Sequence, residues 1–577
     1  MSEPYGGQLV ADVLARHGVK FLYTLCGGHI SPILVAAEQR GVRVVDVRDE
    51  ATAVFAADAT ARLTGVVGVA AVTAGPGVTN TITAVKNAQM AQSPVLILGG
   101  AAATLLQGRG ALQDIDQISL VKPLVKLAAA VRRVRDIVPT LEKALRVAQE
   151  GVPGPVFVEI PVDLLYQEST VRQLMVNEAG RAKGLAGLAM KLYLGRHMRK
   201  TFGKAWTTQA SDPAPIVPPL PSDKQMAQVL GALAKAKRPL LIVGSQAMLD
   251  AGRVDALQQS LIKLGIPTYL SGMARGLLGY NPLHLRHQRS KALREADTII
   301  LAGVPCDFRL GYGRSIPRRA TYISINRSQA DMTKNRRPTI GVLADPGTFL
   351  RMVAANWSQQ PVWTSWRDTL QARDAARDGE IQQQAAEATE FINPVWLCQQ
   401  LEEIIDADSV LIGDGGDFVA TASYIVRPRT PLSWLDPGAF GTLGPGGGFA
   451  LAAKLCRPQA EVWLLYGDGS AGYSLAEFDT FARHNVPVIA IIGNDASWAQ
   501  IAREQVVILG SSLGTDLARS NYHVVAEGYG GVGLCVDDPA QVKGVLKQAQ
   551  EIAKNGRPVL INAMIGRTAF RKGSISM

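Results

Sequence analysis

Two acidic residues at the ends of neighbouring apolar runs dominate the chemistry this sequence can do. Asp468 stands in Gly467-Asp468-Gly469 after EVWLLY, and Asp495 follows Asn494 after VPVIAIIG. The amphipathic segment SLAEFDTFARHN lies between them, so the unit reads as β-α-β with parallel strands whose carboxyl ends lie side by side. Hard oxygen ligands at such an edge, beside glycines that admit a diphosphate to the backbone, suit a magnesium ion that keeps water and phosphate oxygens in its octahedron. An isolated Gly-Asp-Gly is more often only a turn. Other residues have to decide between the two readings.

The elements that must position these carboxylates follow from alternating patterns. FLYTLC, RVVDVR, VGVAAVTA, PVLILGG and PVFVEIP alternate with helical periods over residues 1–170, which predicts a parallel sheet covered on both faces. Residues 171–222 are different, first basic and amphipathic (KGLAGLAMKLYLGRHMRKTFGKAW) and then Pro-rich (DPAPIVPPLP), and read as an interdomain connector. A second α/β segment spans 223–360, with RPLLIVGS, PTYLSG, TIILAG, TYISIN and IGVLAD as strands. A polar helical linker spans 361–390, a third α/β segment spans 391–566, and a basic tail spans 567–577. The expected class is α/β, with three doubly wound parallel-sheet domains.

Composition agrees and narrows the function. At 577 residues the chain exceeds a single core, and 47% hydrophobic content with 57 glycines and 6% aromatics fits an α/β protein. Cys26, Cys306, Cys398, Cys456 and Cys535 lack CxxC spacing, which argues against zinc and disulfide frameworks. The net charge of +11 suits an anionic partner, and without a nucleic-acid fold signature a phosphorylated cofactor is preferred over nucleic acid. No apolar run is long enough for a transmembrane segment, and MSEPYGGQ lacks signal regions, so a soluble, cytoplasmic protein is expected.

Further chemistry-bearing residues occupy the first segment. Glu50 opens a helix in RVVDVRDEATAVFAADATARLTG, and Gly75-Pro76-Gly77 makes a tight turn before a helix that carries Asn80. Gln113 lies in GRGALQDIDQ, and His29 follows the first strand in TLCGGHISP. In the third segment, WLDPGAFGTLGPGGGFALAAKL sets an apolar Leu443 among glycines.

These stretches together resemble the thiamine-diphosphate enzymes over nearly the whole chain. The resemblance implies pyrimidine-binding, central and diphosphate-binding domains, with thiamine diphosphate and Mg2+ as cofactors. Metal contacts fall on Asp468, Asp495 and the Ser497 carbonyl, with Asp495 replacing the family's second Asn. Gly467, Gly469, Ser470, Gly75 and Asn80 would face the cofactor, the Gly441 carbonyl would accept from its 4′-amino group, and Leu443 would be the wedge that bends it. Glu50 takes the place of the catalytic carboxylate against the aminopyrimidine, with Asp49 standing where a His is usual. Gln113 and His29 would meet the substrate, His29 with a structural role as its competitor. In this family the two halves of a site come from different subunits, which implies a homodimer or a dimer of dimers, the homotetramer. ADP or FAD in the central domain is a relic in some relatives.

GGHISP, RGALQ, MARGLLG, CDFRL, LDPGAFGTLG and EFDTF resemble the acetolactate-synthase-like branch that includes the 2-hydroxyacyl-CoA lyases. True synthases place a tryptophan nine residues after the second metal-binding Asn; here that position is Glu504, which favours the lyase. The implied reaction cleaves a 2-hydroxyacyl-CoA to formyl-CoA and an aldehyde, reversibly. Arg275, Arg567, Arg571 and Lys572 are candidates for the coenzyme A phosphates, with solvated surface charge as the competing explanation. Trp498 either lines the substrate cleft or belongs to the core. The basic helix from about Lys183 to Lys204 is either a connector packed on a neighbouring domain or a peripheral membrane contact. Keto-acid carboligation and an inactive cofactor-binding partner are the alternative functions; retained Glu50 argues against the latter.

Overall fold

The computed structural model of the chain describes residues 3–179, 184–358 and 363–573. Its strands make three parallel sheets of six. The first contains β1 (Phe21–Thr24), β2 (Arg43–Asp46), β3 (Gly68–Val72), β4 (Val95–Ala101), β5 (Ala128–Ala130) and β6 (Val156–Pro161), in the order β2-β1-β3-β4-β6-β5. The second contains β7 (Pro239–Val243), β8 (Thr268–Leu270), β9 (His284–Leu285), β10 (Thr298–Ala302), β11 (Thr321–Asn326) and β12 (Ile340–Leu343), ordered β12-β11-β10-β7-β8-β9. The third contains β13 (Val410–Gly413), β14 (Trp434–Leu435), β15 (Val462–Gly467), β16 (Ile489–Asn494), β17 (Val532–Val536) and β18 (Val559–Met564), ordered β14-β13-β15-β16-β18-β17.

The first and third sheets therefore share one topology. Each reverses direction between its first and third strands, leaving a crevice at their carboxyl ends. Strands such as β4 and β15 are buried along their whole length, as sheets covered on both faces require. The short strands β5 and β9 are additions to the ten strands expected in the first two segments; at three and two residues they carry too little pattern to be read.

The chain divides into two compact units, Met1–Ala61 with Val66–Val217, and Arg62–Gly65 with Pro218–Met577. In the first unit the core runs from Val10 and Leu14 through Leu96 and Val158 to Met198 and Phe202. The basic segment is helical over Gly184–Phe202, Lys183 lying outside the described residues, and the Pro-rich stretch that follows has no regular structure. In the second unit Trp434, Trp463 and Ile491 belong to the core around the third sheet, and Leu240, Ile299 and Tyr322 to that of the central sheet. The polar linker forms the helix Thr364–Ala385, which buries Trp366 and Leu370.

Candidate active site

In the first unit, three loops at the carboxyl edge of the first sheet bring the predicted residues together. Glu50 starts the helix Glu50–Thr64 after β2 and is buried. Asp49 accepts from the Ala51 amide at 2.6 Å, so the residue that replaces the usual His caps this helix. Asn80, at the end of the short helix Pro76–Asn80 after β3, donates from Nδ2 to Glu50 Oε2 at 3.0 Å. His29 follows β1 across the crevice, and its Nδ1 is paired with Thr73 Oγ1 at 3.1 Å. Burial holds the His29 imidazolium below its ordinary pKa, so the ring is neutral at physiological pH.

Gly75 has φ +63°, and a Cβ there would lie 2.8 Å from the Gln113 carbonyl. The turn and the Gln113 loop thus touch through backbone, and Gln113 itself is left-handed at φ +64°. A residue that sequence reasoning missed ties them: buried Gln117 accepts from the Gly75 amide at 3.0 Å and donates to the Gly100 carbonyl at 2.8 Å and to Glu159 at 2.9 Å. Glu159 is raised by burial, with the Gln117 donor opposing. Nothing local in the sequence marks Gln117.

In the second unit, Asp468 and Asp495 end β15 and β16 as the β-α-β reading requires. Asp468 accepts from the Gly469 amide at 2.8 Å and the Ser497 amide at 3.2 Å. Burial raises it, these donors opposing. Asp495 is pushed up to about 7 by burial and by the charges of Asp468 and Asp417, with Arg567 opposing. Such crowding of carboxylates is what a divalent cation relieves. Among the described residues no cluster of three or more His, Cys, Asp or Glu side chains forms a metal site. The two carboxylates are hard oxygen donors, and a magnesium ion that brings phosphate and water oxygens of its own would fit them. Asn494, by contrast, is buried and bonded to Asn562 and Ser520.

Around the carboxylates the glycines permit close approach. Gly469 has the Trp498 ring where a Cβ would be, 2.4 Å away, so half-buried Trp498 packs on the Gly-Asp-Gly turn. The Ser470 hydroxyl donates to the Gly415 or Gly467 carbonyl and accepts from the Gly467 amide, which fixes the turn. Leu443 lies against Gly415, its Cδ2 2.3 Å from an imagined Cβ, and Gly441 takes φ +66°. Asp414, also missed, fixes that segment by accepting from the Gly444 and Gly446 amides at 2.9 and 2.8 Å. It ends β13 across the switch point from Asp468, within a second Gly-Asp-Gly that could have revealed it.

The remaining candidates line cavities. Asp495, Ser497 and Arg567 share one of about 260 Å³ with Arg503 of the helix Ala499–Leu509, which also carries Glu504. Arg275 stacks 4.7 Å over Trp434, donates to the Ser423 carbonyl, and lines a cavity of about 370 Å³ with Arg286, Arg289 and Arg427. Arg571 and Lys572 line another of about 320 Å³ with Arg377. At the central sheet's own switch point, Gln246 Oε1 accepts from the Arg327 amide at 2.7 Å, and Arg327 pairs with buried Asp345 at 2.8 Å. The turn Ser245–Met248 leaves Gly303 so little space that a Cβ would meet Ala247 N at 2.7 Å.

Known proteins resemble this chain in sequence and fold. Residues 5–120 match the N-terminal TPP binding domain of thiamine pyrophosphate enzymes, residues 226–353 the central domain and residues 414–563 the C-terminal TPP binding domain. The chain is 53% identical to 2-hydroxyacyl-CoA lyase 2 of Danio rerio, over 100% of this chain and 94% of that protein. It is 53% identical to the Homo sapiens protein of the same name, over 99% and 92%. A probable acetolactate synthase of Mycobacterium bovis is 32% identical over 97% and 95%. The solved Rhodococcus jostii RHA1 thiamine diphosphate-dependent 4-hydroxybenzoylformate decarboxylase shares the fold, with TM-score 0.77 and 20% identity over 98% and 99% of the two chains. With domain matches in all three segments and full-length relatives above half identity, the chain belongs to the thiamine pyrophosphate enzyme family.

Proposed function

We propose that the protein is a thiamine-diphosphate-dependent lyase that cleaves a 2-hydroxyacyl-CoA to formyl-CoA and an aldehyde, and joins them in reverse. The observation that carries this reading is 53% identity along the whole chain to proteins named 2-hydroxyacyl-CoA lyase 2. Glu504, in place of the synthase tryptophan, supports it.

Bound thiamine diphosphate supplies a nucleophilic carbon and an electron sink. Asp468, Asp495 and the Ser497 carbonyl would hold its magnesium, with Gly467, Gly469 and Ser470 on the diphosphate side. The Gly441 carbonyl and Leu443 would hold and orient its pyrimidine, a case of proximity built into binding. Glu50, kept in place by Asn80, would stand against the ring as its proton-exchanging carboxyl. Neutral His29 has a second nitrogen free of Thr73 with which to take the substrate hydroxyl proton, and Gln113 assists it. Arg275, Arg567 and Arg571 meet the coenzyme A phosphates. ADP or FAD, if the central domain holds one, would be structural and take no part in the reaction. The same reading takes a homodimer or dimer of dimers as the active unit and the cytoplasm as its compartment.

The test offers purified protein, with thiamine diphosphate and magnesium, either a 2-hydroxyacyl-CoA or pyruvate. Aldehyde from the first and no acetolactate from the second is expected. The reverse outcome would support the second reading, a keto-acid carboligase, which the 32% identical acetolactate synthase favours. Product from neither would point to an inactive partner.

A further inference from the structure

The helix Gly184–Phe202 carries two apolar stripes, one packed in the core and one exposed. Met198, Phe202 and, just beyond, Ala205 are 2%, 5% and 2% exposed and belong to the core of the first unit. His197 pins the same side, its Nε2 3.0 Å from Thr104 Oγ1, which also reaches Asp163. At 100° per residue, Leu185, Leu188 and Leu192 fall together on a second stripe, about a quarter turn from Met198 and Phe202, and are 87%, 57% and 67% exposed. Tyr193 at the flank is 52% exposed, and Trp206 beyond the helix is 37% exposed.

Three leucines on one exposed stripe are costly to leave in water, so the stripe needs an occupant. The charges indicate which. From residue 184 to 206 there are five Lys or Arg and no Asp or Glu. Arg196 and Arg199 continue the leucine stripe toward the carboxyl end, and both are exposed. Leucines that insert, an aromatic pair suited to a headgroup boundary and cations without acids are the features of a helix lying in a lipid interface. No described helix is long and apolar enough to cross a membrane, so contact would be made by lying on the surface.

We propose that this outer face docks the protein on an anionic lipid bilayer, with the three leucines inserted and Arg196, Arg199, Lys200 and Lys204 on the headgroups. The proposal is independent of the reaction assigned above. Because Met198 and Phe202 hold the helix to the core, the docking surface is already formed in the free protein.

Flotation of the full chain with phosphatidylcholine vesicles, with and without an anionic phospholipid, tests this. The protein should float with the anionic vesicles only, and added salt should release it. Leu188→Gln combined with Leu192→Gln should cut the bound fraction about tenfold, with unchanged thermal unfolding. Arg196→Gln with Arg199→Gln should weaken the preference for anionic lipid. Absence of flotation with either vesicle would overturn the proposal. So would a fall in sedimentation mass of the leucine double variant, which would assign the face to a second copy of the chain.

Discussion

Asn80 Nδ2 donates to Glu50 Oε2 at 3.0 Å, joining the turn after β3 to the carboxylate that opens the helix Glu50–Thr64. A hydrogen bond to a charged partner is worth about 1.5–3 kcal/mol, and here it also fixes the rotamer of a buried acid. Asn80→Ala should lower kcat about tenfold or more, with KM little changed and circular dichroism intact. An unchanged kcat would remove Asn80 from the site.

Gln117 acts at one remove from the chemistry. Gln117→Leu leaves the Gly75 amide and Glu159 without their shared partner inside the protein. Loss of about 1–3 kcal/mol in unfolding free energy is expected, together with lower kcat from a loosened Gln113 loop. Thermal melts and steady-state rates on one preparation check both; wild-type values in each would contradict the assignment.

These two residues mark how far the sequence could be read. Asp468 and Asp495 were legible because each follows an apolar run that reads as a buried strand, and strand ends in a parallel sheet share one edge, whereas Glu50 follows the half-exposed edge strand β2 and was placed only by the family resemblance. Gln117 was not legible, because it works through backbone groups at Gly75 and Gly100 that lie 42 and 17 residues away. Asp414 had a local signal, Gly413-Asp414-Gly415 after β13, but its role depends on amides some 30 residues downstream. β5, a run of three alanines, and β9, two residues long, pair only because neighbouring strands offer an edge, so propensity did not reveal them.

Asp414 gives a pH signature. Burial pushes its carboxyl up to about 7, against the Gly444 and Gly446 amides. A group raised above its unfolded value of 3.8 binds its proton more tightly in the fold. Its stabilisation is complete below about pH 4 and is lost as pH rises through about 7. Cofactor-free Asp414→Asn cannot titrate there, so its Tm should fall less than the parent's between about pH 5 and pH 8. Equal slopes would contradict the assigned burial effect.

Subunit pairing can be tested by complementation. Glu50→Gln and Asp468→Ala should each be inactive alone. If each site takes Glu50 from one protomer and Asp468 from the other, co-expression should restore about a quarter of wild-type activity, since half the dimers are mixed and each has one intact site. No restoration would contradict a site shared between protomers.

The most direct measurement is deuterium exchange at the thiazolium C2 of thiamine diphosphate bound with magnesium, in wild type and in Glu50→Gln. Exchange much faster than in the free cofactor for wild type, and near the free rate for the variant, is predicted. Equal exchange in both proteins would contradict the role given to Glu50.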